Sequence, residues 1–135
     1  MEIADILRDL EKLPPEERAK LQAEVLKETA GLKFIPNAGP QAVAYAHPAD
    51  VMLYGGSGGS GKTALLCGLA LTQHKRSLIL RRKYADLSAL SDELVKMNGT
   101  RDGFTTMPRP KLRTDDDRLI EFGACQHLGD EESFQ

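Results

Sequence analysis

The chain has 135 residues, enough for one domain around one modest core, and its 41% hydrophobic and 28% charged content is that of an ordinary globular protein. A formal net charge of −2 excludes a protein that coats nucleic acid by charge alone, while leaving room for a local basic patch on DNA. No signal-peptide pattern opens the chain, no apolar run approaches the ~18 residues of a membrane span, and a cytoplasmic protein is expected. Cys67 and Cys125 lie far apart in apolar stretches, as expected of buried thiols in a reducing compartment.

Ile3, Ile6, Leu7, Leu10 and Leu13 recur at helical spacing and predict an amphipathic helix over the first dozen residues. Pro14 and Pro15 end it. Pro15 suits the first turn of a second helix, where Glu16 and Glu17 favour the dipole, and Leu21, Ala23, Val25 and Leu26 supply its apolar side up to a stop near Gly31. Residues 1–31 thus read as a helical hairpin whose apolar face must pack on the domain that follows or dock on a partner. From Leu32 to Ala49 the chain reads as irregular, with a turn cluster at Pro36–Pro40 and Pro48 ahead of a strand.

Val51-Met52-Leu53-Tyr54 predicts a short buried strand, and Ala64–Leu71 predicts a buried helix. Between them, Gly56-Ser57-Gly58-Gly59-Ser60-Gly61-Lys62-Thr63 matches G-x-x-x-x-G-K-[ST], a phosphate-binding loop in the strand–loop–helix setting such a loop needs. The glycines let successive backbone N–H groups turn toward an anion, and the helix starting near Lys62 adds its positive end. Lys62 is expected to reach the β- and γ-phosphates of a nucleoside triphosphate, and the Thr63 hydroxyl to ligate Mg²⁺.

Gln73-His74-Lys75-Arg76 forms a basic exit from the helix, and Ser77–Arg81 predicts a second strand buried on both faces, as in a parallel sheet. Leu87, Leu90, Leu94 and Met97 mark a third helix closed by Asn98-Gly99. After a loose segment with Pro108 and Pro110, Lys111–Thr114 and Arg118–Phe122 flank an aspartate-rich turn, a β-hairpin. This order of elements opens a doubly wound α/β nucleotide-binding domain over residues 32–135. An acidic pair managing Mg²⁺ and water must cap a buried strand. The residues before Asp130 and Glu131 are too polar for one, so these two read as a solvated loop or helix start.

From about Phe34 to Gln135 the sequence resembles the N-terminal ATPase segment of the large terminase subunit of tailed phages. The residues that carry the resemblance are Gly39-Pro40-Gln41, Pro48-Ala49-Asp50, Tyr54-Gly55-Gly56 with the phosphate loop, Gly68–His74, Ser77–Arg82 and Ile120–Gly123. It implies an α/β fold of the ASCE-like P-loop NTPase class, a doubly wound parallel sheet that is incomplete here. It also implies ATP and Mg²⁺ as ligands, hydrolysis that drives double-stranded DNA into a procapsid, and a nuclease activity in the complete protein. Its partners would be the portal, the small terminase subunit and further copies in a ring, all in the cytoplasm of a bacterial host. Under the resemblance Gln41 reads adenine, the alternative being an ordinary exposed glutamine. Arg81 or Arg82 contacts phosphate or DNA, or acts across subunits, the alternative being a solvated basic rim. With the family's acidic strand and nuclease domain missing, this chain is expected to bind Mg·ATP weakly and hydrolyse it negligibly. The competing readings are a small P-loop kinase, with Arg101, Arg109, Arg113 and Arg118 near an acceptor, and a non-catalytic docking fragment.

Overall fold

The computed structural model describes residues 12–134. The chain divides between Leu32 and Lys33 into two compact units. In the first, helix α1 (Pro15–Thr29) begins with proline at its first position, carries Glu16 and Glu17 in its first turn and Lys27 in its last, all favourable to the helix dipole. None of its residues is buried, and Val25 and Leu26 are exposed. The other arm of the expected hairpin, Ile3 to Leu10, lies outside the described residues.

The second unit runs α2 (Pro40–Ala46), α3 (Lys62–Thr72), β1 (Arg76–Arg81), α4 (Asp86–Asn98), β2 (Phe104–Thr105), β3 (Lys111–Arg113), β4 (Leu119–Ala124) and a closing 3₁₀ turn, Asp130–Phe134. The strands form one sheet in the order β1-β4-β3-β2. β1 and β4 pair in parallel, and β4–β3 and β3–β2 pair antiparallel. The protein is therefore α/β with a mixed sheet.

The strand period of two sorts the sheet into unlike faces. Ile79 lies beside Phe122, and Ile120 beside Leu112, and these four buried side chains make one apolar face. Leu65, Cys67, Ala70 and Leu71 of α3 and Leu87, Leu90 and Leu94 of α4 are buried, and the two helices pack on each other and on β1 and β4. The 3.6-residue period puts Leu87, Leu90 and Leu94 on one side of α4, and Gly99 ends that helix in the left-handed conformation, donating its N–H to the Val95 and Lys96 carbonyls. Gly68 is needed for close packing, because a Cβ there would overlap the Phe34 ring.

The hairpin turn locks β4 onto β1. The Thr114 hydroxyl donates to Asp116 Oδ1 at 2.6 Å and accepts the Arg118 N–H at 3.0 Å. Arg118 Nε reaches Asp116 Oδ2 at 2.6 Å, and its guanidinium also donates to the His74 carbonyl at 2.9 Å. The Thr114 hydroxyl first, then Arg118 and Lys33, hold the Asp116 carboxyl down at about 2. Across the turn, the Leu119 N–H bonds the Lys75 carbonyl at 2.9 Å, which sets the first rung of the parallel ladder.

Four expectations change. Among the described residues the sheet is mixed, not all parallel, and not doubly wound: both core helices cover the same face, and on the other the Phe134 ring lies against Gly123. In consequence β1 is not buried on both faces, since Leu78 and Leu80 remain exposed. Val51–Tyr54 forms no strand, with Val51 90% and Leu53 99% exposed: a strand needs a partner backbone, and the segment does not pair with β1, which stands at the sheet edge with β4 as its one neighbour. The stretch read as irregular contains α2, which starts at Pro40 after Gly39 at φ 94°.

The two faces make opposite predictions for urea denaturation. Phe122→Ala, on the packed face, should cost about 3–5 kcal/mol. Leu78→Ala, on the open face, should cost under about 1 kcal/mol. Comparable losses for both would mean that the second face is packed in solution.

Candidate functional site

The glycine-rich loop leads directly into α3. The Ser60 N–H closes a turn on the Ser57 carbonyl at 3.3 Å, and Gly61, left-handed at φ 79°, caps the helix while its carbonyl accepts the Leu65 N–H at 2.9 Å. Only glycine serves at 61, because a Cβ would meet the conformational penalty and also approach Gln41 Nε2 within 2.5 Å. The first N–H groups of α3 have no partners within the helix and carry its positive end.

Lys62 folds back over the loop. Its ammonium donates to the Gly56 carbonyl at 2.7 Å, the Ser57 carbonyl at 2.6 Å and Ser60 Oγ at 2.9 Å, which uses all three of its protons. The Thr63 hydroxyl accepts a hydrogen bond from the Arg81 guanidinium at 3.2 Å. Arg81 is the last residue of β1, so the site sits at the carboxyl end of the parallel pair, where open α/β sheets bind ligands.

The end of the loop and the first turn of α3, residues 58–64, form one wall of a cleft of about 660 Å³, within the size range of small-molecule sites. Asp86, Leu90 and Glu93 of α4 form the facing wall, and Arg81 completes the lining. The cleft therefore sets cations at the loop against two carboxylates one helical face away. Beneath it lies Cys67, fully buried, whose thiol is pushed up from 9.0 to about 11, chiefly by burial, with Glu93 adding to the shift and Arg81 opposing it.

Gly58 to Thr63 and Arg81 are thus brought together, and Gly56 and Ser57 join them through Lys62. Arg82 is exposed and does not line the cleft. Gln41 is buried against Gly61, at the base of the loop. The carboxylates of Asp130 and Glu131 are engaged by the local backbone: Asp130 Oδ2 accepts the Gln126 and His127 N–H groups, and Glu131 Oε2 accepts that of Gly129. Asp86 and Glu93 are additions that the sequence reading passed over. The signal was their spacing of seven, two turns apart on one face of the predicted helix. Among the described residues no group of three or more His, Cys, Asp or Glu could hold a metal ion, and no helix is long and apolar enough to cross a membrane.

The two thiols should behave differently. At pH 8 a maleimide should modify Cys125 in the native protein and reach Cys67 only after denaturation. Between pH 9 and 11 the unfolded chain loses the Cys67 proton while the folded chain keeps it, so stability should fall as pH rises. Cys67→Ala should flatten that part of the stability profile. Rapid native labelling of Cys67 would contradict its burial beneath the cleft.

No protein-family model, no curated protein and no solved structure matches this chain.

Proposed function

We propose that the chain is the ATP-binding portion of a large terminase subunit, the motor that drives double-stranded DNA into phage procapsids. The observation that carries the reading is the loop of residues 56–63, wrapped around the Lys62 ammonium and opening at the N-terminus of α3 into a cleft of nucleotide size. Backbone N–H groups, a helix N-terminus and a lysine converging on one concavity are the chemistry that polyphosphate requires. A triphosphate offers Lys62 the oxygens it now takes from Gly56, Ser57 and Ser60. The Thr63 hydroxyl lines the cleft and, with one lone pair given to Arg81, retains another for a cation. These residues fit Mg·ATP, with Lys62 and the loop amides on the phosphates and Thr63 on Mg²⁺. Bound Mg²⁺ would supply charge neutralisation at the phosphates. Arg81, held in the cleft, is better placed than Arg82 to meet charge on a transferred phosphoryl group. In the complete motor the partners are DNA, the portal, the small terminase subunit and further copies in a ring, in the cytoplasm of an infected or lysogenic bacterial host.

The presence of Asp86 and Glu93 opposite the loop favours one further reading, a small kinase in which a carboxylate takes the proton of an acceptor hydroxyl. The motor reading predicts instead that this chain alone turns over far more slowly than ~1 s⁻¹. β1 ends in Arg81 and β4 in Ala124, so neither parallel strand delivers a carboxylate beside the loop.

Calorimetric titration with Mg·ATP should show binding that Lys62→Ala weakens by about 1.5–3 kcal/mol, at least tenfold in Kd. Unchanged affinity in that variant would remove the loop as the site. A phosphorylated product from a panel of hydroxyl acceptors, lost in Glu93→Gln, would replace the motor by the kinase.

A further inference from the structure

Gln41 is 4% exposed, and both ends of its amide are engaged. Oε1 accepts the Asn37 N–H at 2.6 Å, and Nε2 donates to the Gly61 carbonyl at 3.0 Å. A backbone N–H on one side and a carbonyl on the other admit one orientation of the amide. The Gly61 carbonyl is the hinge between loop and helix, since it also accepts the Leu65 N–H. It belongs to the same planar trans peptide as the N–H of Lys62, and the two groups of such a peptide point in opposite directions. Drawing the carbonyl toward Gln41 therefore turns the Lys62 N–H the other way. The anchor is firm at its far end, where Asn37 is tied into α2 by the Ala42 N–H at 3.1 Å. Gln41 itself does not line the cleft.

We infer that Gln41 is a positioning residue for the phosphate loop: its buried amide fixes the Gly61–Lys62 peptide and so aims the first N–H of α3. The ligand it serves is the polyphosphate of any nucleotide, without regard to the base. The inference rests on the triphosphate reading for its ligand, and on the hydrogen bonds alone for its effect on the loop.

The test has two readouts. Gln41→Met keeps the side chain's length and removes both polar ends. Amide hydrogen exchange over Lys62 to Leu65, read at the Leu65 N–H that the Gly61 carbonyl holds, should speed up about tenfold, with exchange in β4 unchanged as the measure of an intact fold. Affinities for Mg-bound ATP, GTP and inorganic tripolyphosphate should fall by one common factor, about five- to tenfold. Gln41→Glu keeps the acceptor for Asn37 but loses the donor to Gly61, and should reproduce the change at Lys62 to Leu65. It carries the comparison if Gln41→Met does not fold. Unchanged exchange at Lys62 to Leu65 would overturn the inference. So would a loss confined to ATP with tripolyphosphate binding intact, which would make Gln41 a reader of adenine. A wild-type chain that binds no triphosphate would defeat the functional reading, while exchange at Lys62 to Leu65 would still decide the role of Gln41.

Discussion

The parallel pairing of β1 with β4 is the constraint from which the rest of the second unit follows. It sets Ile79 beside Phe122 and brings Ile120 onto the same face, making an apolar surface wide enough for two helices. Parallel strands cannot be joined by a tight turn, so the chain between them must cross over, and here the crossover includes α4. α3, which precedes β1, settles beside α4 on that surface. The result puts the start of α3, the end of β1 and the polar side of α4 around one opening. The register is held by the Thr114, Asp116 and Arg118 network at the start of β4, remote from that opening. A one-residue slip there would turn Phe122 out of the core.

The site depends on a second constraint, the conversion of a flexible glycine run into a fixed shape. Glycines permit the loop conformation but do not select it; beside the Ser60–Ser57 backbone turn, the bonds that hold it come from polar side chains. Lys62 gathers the front of the loop from within, and Gln41 holds its rear from outside. Arg81 reaches Thr63 from the sheet and so couples the strand end to the first turn of the helix. Loop, helix and sheet are joined by three side chains drawn from three separate elements.

What could be read from the sequence was what is encoded locally. The glycine-rich turn leading into α3, α3 itself, the Leu87–Met97 periodicity and the hairpin around Asp115–Asp117 all stand where their spacing puts them, because each arises from contacts within a few residues. The strand at Val51–Tyr54 was not of this kind. Its composition suits a strand, but pairing is a property of the neighbour and not of the segment. The doubly wound sheet failed for the same reason: the order of elements does not say which face a helix will take. α2 was missed because Pro36–Pro40 looks like a turn cluster, while Pro40 in fact begins a helix. The partners of Gln41 and the approach of Asp86 and Glu93 to the loop are tertiary facts, fixed only when segments far apart in the chain meet.

If the loop is the polyphosphate site proposed above, the embrace of Lys62 by its own loop has a consequence for what that site would accept. An incoming anion meets an ammonium already satisfied by three oxygens, so capture is an exchange in which those contacts are surrendered. A ligand offering a single oxygen, or a monatomic anion, gives back less than it displaces and is disfavoured. A polyphosphate chain, with several oxygens at suitable spacing, can replace all three and add contacts to the backbone amides. Under the proposed triphosphate reading, the lysine would be both the charge that attracts the ligand and the filter against small anions, with selectivity arising from the resting state of the loop.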